Sequence, residues 1–413
     1  MVSFQKFTLD NGLRIIVNTD KNTNLVTLNL LYNVGARDEN PERTGFAHLF
    51  EHLMFGGSIN IPNYDEPVQR CSGENNAFTT NDITNYYLTL PKINIETGFW
   101  LESDRMLALA FSEQSLDIQK KVVIEEFNQR YLNQPYGDVW LLLRPLAYKV
   151  HPYQWSTIGK NIDHIKNATI DEVKDFFYSY YAPNNAILSV SGNITADEVY
   201  ELSKKWFLPI EKRNIKPRNI EPEPEQTERR FLEVHRDVPY NAIYRAYHMH
   251  KRDNIKYYAA DMLSDILSGG NSSRFYRQLV VENQIFSDIK AYITGNIDAG
   301  LFVISGILAE GVSVEKAENA IDLIINDIKN KTITEFEINK CKNQIETFLT
   351  LSQTMISEKA FNLAYFELLG DAMLYNYEIE KYSTQTVENL TQTAIEIFDE
   401  KNLSSLHYLV NNK

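Results

Sequence analysis

The sequence predicts an α+β fold in two parts, and three observations carry that prediction. Alternating apolar runs and helix-period runs are mixed along the chain, with no strict strand–helix alternation. A proline-containing stretch without apolar periodicity, residues 213–228, divides the chain near its middle. After it, the pattern of the first part starts again. A length of 413 residues leaves each part enough chain for a core of its own.

The elements follow in order. Phe7-Thr8-Leu9, Asp10-Asn11-Gly12 and Leu13 to Val17 read as strand, tight turn and strand. Val26 to Val34 reads as a further strand, followed by a polar loop to Thr44. A helix then runs from Gly45 and stops at Gly56-Gly57. Asn76 to Leu90, rich in Thr, Tyr and Phe, gives one or two strands. A helix follows around Asn94 to Ser112, and Ser115 is the expected cap of the next. A helix around Ile170 to Tyr180 leads through Tyr181-Ala182-Pro183-Asn184-Asn185 into the strand Ala186 to Val190. The division is thus 1–212, a linker 213–228 and 229–413. In the last part Ile243 to Met249 alternates like a strand, and Tyr257 to Leu267 reads as a helix ending at Gly269-Gly270. Leu49 to Gly57 matches Met262 to Gly270 in pattern, which marks a repeat. In that register His48, Glu51 and His52 correspond to Asp261, Ser264 and Asp265.

Composition excludes several classes. An apolar fraction of 43% with 12% aromatic residues belongs to an ordered globular chain. A formal net charge of −14 argues against a nucleic-acid partner. Cys71 and Cys341 form neither a disulfide framework nor a Cys-x-x-Cys site. No apolar run approaches the roughly 18 residues of a membrane span. The N-terminal stretch Phe4 to Leu9 does not read as a signal peptide. The expected compartment is therefore cytoplasmic, or periplasmic if such a segment has been removed.

His48-Leu49-Phe50-Glu51-His52 concentrates the chemistry. Only eight histidines occur in the chain, and two of them fall here beside a carboxylate. Residues i and i+4 of a helix are neighbours one turn apart, so His48 and His52 can grip one metal ion. Glu51, at i+3 from His48, can reach a water on that metal as general base. The spacing His-x-x-Glu-His is that of the inverted zinc peptidases.

This motif and much of the chain around it resemble the pitrilysin, insulin-degrading and mitochondrial-processing peptidase family. The resemblance implies two homologous α/β-sandwich halves, each a mostly antiparallel sheet packed with helices. It also implies one Zn²⁺ per chain and a third ligand on a second helix. Gln119-Lys120-Lys121-Val122-Val123-Ile124-Glu125-Glu126 resembles the family's Glu-Arg-x-Val-Val-x-Glu-Glu, which makes Glu126 the ligand. Adjacent helical residues point about 100° apart, so Glu125 is left as a solvated or supporting carboxylate. Gln119 stands where the family often has a glutamate; it can hydrogen-bond but carries no charge. Ser72 to Thr80 resembles the family's edge strand, on which peptide adds as an extra strand, with Asn76 and Ala77 as the expected contacts.

One part of the family's site is missing. Single-chain members carry an arginine and, seven residues on, a tyrosine in the zinc-free half. Here Val280 and Ser287 occupy those positions, and no Arg-x6-Tyr spacing occurs beyond the linker. The expectation is a zinc-dependent endopeptidase of peptides and unfolded polypeptides, working in a closed chamber. It would pair with a zinc-free homologous subunit that supplies the arginine and tyrosine. The rivals are local substitutes such as Arg277 or Tyr292, a homodimer, a non-catalytic structural subunit, and zinc-dependent hydrolysis of something other than peptides. His248-Met249-His250 reads as a solvated strand face. Gly269 to Ser273 lacks the ending of a phosphate loop and reads as a helix stop.

Overall fold

A computed structural model of the chain describes residues 1–330 and 332–411. Two compact units form by packing. One comprises residues 1–128, 155–220 and 349–377; the other comprises 129–154, 221–348 and 378–413.

The first unit is built on six strands: β1 (Gln5–Thr8), β2 (Arg14–Thr19), β3 (Leu25–Tyr32), β4 (Glu74–Thr79), β5 (Thr84–Pro91) and β6 (Ala186–Gly192). Their order is β1-β2-β6-β3-β5-β4, antiparallel throughout except for β2 beside β6. The turn between β1 and β2 needs its glycine. Gly12 has φ +89°, and a Cβ there would stand 2.7 Å from Asn184 Cβ. Every residue of β6 is buried, so both of its faces are covered, as expected of a central strand. The order ends on β4, a six-residue strand whose first residue, Glu74, and third, Asn76, are exposed.

The second unit repeats this plan. β7 (Arg230–Arg236), β8 (Ala242–His248), β9 (Phe286–Ile293), β10 (Leu301–Leu308) and β11 (Leu403–Val410) lie in the order β7-β11-β8-β10-β9. Again one pair is parallel, β7 with β11, and the others are antiparallel. Laid on the first sheet, β7, β11, β8, β10 and β9 take the places of β2, β6, β3, β5 and β4. The mixed α/β plan and the repeat read from the sequence are therefore present in the sheets themselves.

Packed units and sequential halves partition the chain differently. Residues 129–154 belong by packing to the second unit, and 349–377 to the first. The reason is where apolar stripes find cover. Val139, Leu143 and Ala147, on the helix Val139–Ala147, pack with Ala242, Ala246, Val303 and Leu406. Leu363, Ala364 and Phe366, on the helix Ile356–Leu368, pack with Ile16, Leu31 and Ile187. Periodicity shows that a helix has an apolar stripe but not which sheet covers it. Residues 211–227 carry no helix or strand, and hydrogen bonds anchor them. Arg213 Nη1 donates to Tyr181 O at 2.6 Å, and the Glu223 carboxylate accepts the backbone N–H groups of Lys149, Val150 and His151 at 2.8–2.9 Å.

Candidate metal centre

The motif helix spans Phe46–Leu53 and buries Phe46, Ala47, Leu49, Phe50 and Leu53. That apolar face leaves His48, Glu51 and His52 on the other side, half-buried. Phe50 is the anchor, with ring centroids 5.0 Å from Phe176 and 5.1 Å from Tyr181. The helix starts at Gly45, whose φ of +90° suits glycine; a Cβ there would lie 2.7 Å from Ile158 O. No side chain at Gly45 can cap the helix, and Glu39 does it from the preceding loop. Its two carboxylate oxygens accept Gly45 N and Ala47 N, each at 2.8 Å. Burial pushes the Glu39 pKa up to about 8, against the pull of those two backbone bonds.

The second helix, Glu113–Phe127, is capped by Ser112, whose hydroxyl accepts Ser115 N at 3.1 Å. Ser115 is thus the residue capped and not the cap. Reading the cap at Ser115 starts the helix three residues late, because Glu113 and Gln114 carry no apolar signal of a first turn. Leu116, Val123 and Phe127 are buried along one stripe of this helix. Glu126 is half-buried, with its side chain 18% exposed, whereas Glu125 is exposed to solvent. Gln119 is half-buried seven residues before Glu126, two turns back on the same face.

Three ligand atoms converge between the helices. His48 Nε2 and His52 Nε2 are 3.4 Å apart, and Glu126 Oε2 lies 3.6 Å from the first and 3.5 Å from the second. Donors bound at 2.0–2.1 Å around a tetrahedral ion stand about 3.3–3.4 Å from one another. The triangle therefore matches one face of a zinc coordination tetrahedron, and two imidazoles with a carboxylate are a zinc donor set. Among the described residues, no other group of three His, Cys, Asp or Glu converges in this way. Glu51 precedes His52 on the motif helix, and its Oε2 accepts the Thr79 hydroxyl at 2.6 Å. Asn76 is exposed and Ala77 half-buried on β4, the edge of the sheet; the Asn76 side-chain oxygen accepts Ala77 N at 2.8 Å.

At the repeat-related place in the second unit, Asp261, Ser264 and Asp265 lie on the helix Ile255–Ser268. Asp261 accepts the Tyr382 hydroxyl at 2.7 Å, and Ser264 turns its own hydroxyl back onto Asp261 O. His248 and His250 depart from the solvated face expected of them. His248 Nε2 is 3.0 Å from Ala147 O, with burial holding its pKa down, and His250 Nε2 is 3.2 Å from Glu396. The groups that meet His248, Ala147 O and the Tyr148 ring at 5.0 Å, come from a segment far away in sequence. Sequence reasoning missed Glu39 and the role of Thr79. Nothing local marks either one, since each acts through a contact that only the fold creates.

One sheet plan is used twice, and among the described residues a convergent set of two imidazoles and a carboxylate occurs in the first copy. Residues 14–157 match the family described as Insulinase (Peptidase family M16), and residues 167–345 match the Peptidase M16 inactive domain. A relative named zinc protease PqqE, from Helicobacter pylori, is 31% identical over 356 residues, covering 84% of this chain and 79% of the relative. The Saccharomyces cerevisiae mitochondrial-processing peptidase subunit beta is 22% identical, over 83% of this chain and 77% of that protein. A crystal structure of a protease from Helicobacter pylori superposes with a TM-score of 0.94 at 28% identity, covering 99% of this chain and all of the other. The chain belongs to peptidase family M16.

Proposed function

We propose that this chain is a zinc-dependent endopeptidase acting on peptides and unfolded polypeptides. The observation that carries the reading is the triangle of His48, His52 and Glu126, with the carboxylate of Glu51 on the same helix as both histidines. When bound, zinc acidifies a water and polarises the scissile carbonyl. The chain's own residues supply the rest. His48 and His52 present neutral nitrogens, Glu126 contributes charge, and Glu51 accepts the proton of the attacking water and passes it to the leaving amine. β4 offers an edge for a peptide strand near Asn76 and Ala77, which gives affinity with little demand on sequence.

The chain is further proposed to act as the zinc-bearing member of a heterodimer that closes around its substrate. Val280 and Ser287 supply neither the guanidinium nor the phenol expected at those positions, and one relative is itself named a subunit. Ser287 Oγ donates to Ile307 O within the sheet.

Glu51→Gln tests the core of the reading. The variant should retain zinc and lose hydrolysis of an internally quenched peptide by about 10²–10⁴-fold, the usual contribution of a general base. Near-normal turnover by zinc-replete Glu51→Gln would remove Glu51 from the mechanism.

A further inference from the structure

Glu51 leaves its helix on a different bearing from the ligands. At about 100° per residue it is turned roughly 60° from His48 and 100° from His52. On that bearing it meets β4, against which the motif helix packs. The contact includes one short bond, Thr79 Oγ1 to Glu51 Oε2 at 2.6 Å, within the about 2.5–2.7 Å usual for a hydroxyl on a carboxylate.

Thr79 is itself held firmly. It is the last residue of β4 and pairs with Thr84 of β5 across the hairpin. The next residue locks the turn: Thr80 N donates to Ile83 O at 2.8 Å, and Thr80 Oγ1 accepts Asp82 N at 3.0 Å and Ile83 N at 3.1 Å. A β-branched side chain has little freedom at χ1, so a fixed backbone fixes the direction of the hydroxyl. A glutamate has several torsions of its own and depends on such a partner to hold one orientation.

We propose that Thr79 is a positioning residue for the base: its hydroxyl sets the plane of the Glu51 carboxylate and ties the base to the strand on which peptide is to add. This rests on the zinc-peptidase reading above. On that reading Asn76 and Ala77 fix where the peptide backbone lies, and Thr79, two residues on from Ala77, fixes where the base lies. Both positions are set by one rigid strand. Separating a substrate contact from the base by a single pleat makes peptide register and proton transfer depend on the same backbone.

The test compares Thr79→Val, Thr79→Ser and Glu51→Gln with wild type as zinc-loaded full-length chains. Cleavage of an internally quenched peptide is followed with enzyme in excess, giving a maximal rate and a half-saturating concentration. Zinc is measured by elemental analysis, and binding of the same peptide to EDTA-treated chain, where no hydrolysis occurs, by fluorescence anisotropy. Thr79→Val should lower the maximal rate about 10- to 100-fold, as expected for a bond to a charged group. Half-saturation and anisotropy affinity should stay within about twofold, the pattern of a group acting after binding. Zinc content should not change, and Thr79→Ser should recover most of the rate. If Thr79→Val is as fast as wild type while Glu51→Gln is inactive, the inference fails and the zinc-peptidase reading stands. If zinc-replete Glu51→Gln cleaves like wild type, the reading beneath it fails. Loss of zinc or of peptide affinity in Thr79→Val, or no recovery in Thr79→Ser, would make Thr79 a structural or substrate-binding residue and overturn the inference.

Discussion

Replacing Glu126 by glutamine keeps the shape of the proposed third ligand and removes its charge, whereas the same change at Glu125 falls on an exposed side chain. Glu126→Gln should therefore lose zinc on dialysis against a weak chelator, and Glu125→Gln should keep it; equal loss in elemental analysis would overturn the assignment. The distinction was legible only in part. The i, i+4 pair is a local pattern, but Glu126 could be reached from sequence only through the resemblance, because its meeting with the histidines is a product of the fold. Asp265, which stands in the second half at the place of His52, offers a different test. Burial, and then the Asp261 charge, push its carboxyl up to about 6 from an ordinary value of 3.8. The folded chain thus holds a proton there that the unfolded chain has released. The stability this group contributes is full below about pH 3.8 and lost as pH rises through about 6. Asp265→Asn should stabilise the protein by about 1–2 kcal/mol at pH 8, with the gain shrinking toward pH 4. Thermal unfolding at the two pH values checks it; an equal effect at both would exclude titration of Asp265 as the cause.

At the level of elements, the two helices that meet at the triangle are set by their N-termini. Ser112→Ala should cost about 1 kcal/mol, the usual worth of a lost cap, and Ser115→Ala much less. Denaturant midpoints in the reverse order would return the cap to Ser115. The motif helix depends instead on Glu39 and on a glycine at Gly45. Gly45→Ala would force a side chain into a left-handed conformation and against Ile158 O. Strand and helix periods, the Asp10-Asn11-Gly12 turn and the zinc-motif helix could all be read along the chain because each is written in neighbouring residues. A carboxylate capping from another loop cannot be read that way. Nor can a helix whose apolar stripe is covered by the sheet from the other half of the sequence, as with Val139–Ala147 and Ile356–Leu368.

The whole molecule uses one sheet plan twice, and among the described residues a convergent group of His48, His52 and Glu126 stands in the first copy. The repeat was visible in sequence as two similar helices. Its full extent, five strands in matching order with one parallel pair each, emerges only from the pairing. On the proposed function the isolated chain should be a slow peptidase, since one absent oxyanion donor costs about 10²–10³-fold in turnover. Adding a zinc-free homologous subunit that carries Arg-x6-Tyr should restore the rate and give a mixed dimer by light scattering. Mutating that subunit's arginine should remove the gain and leave the dimer. Equal rates for the isolated chain and the mixture would defeat the two-subunit proposal.

The central claim is the metal centre, and diffraction on either side of the zinc absorption edge tests it most directly. Crystals of protein purified without chelator should show one anomalous peak per chain, enclosed by His48 Nε2, His52 Nε2 and the Glu126 carboxylate, with Glu51 beside it and outside the coordination shell. A zinc peak elsewhere, or zinc-replete crystals with no peak within that triangle, would contradict it.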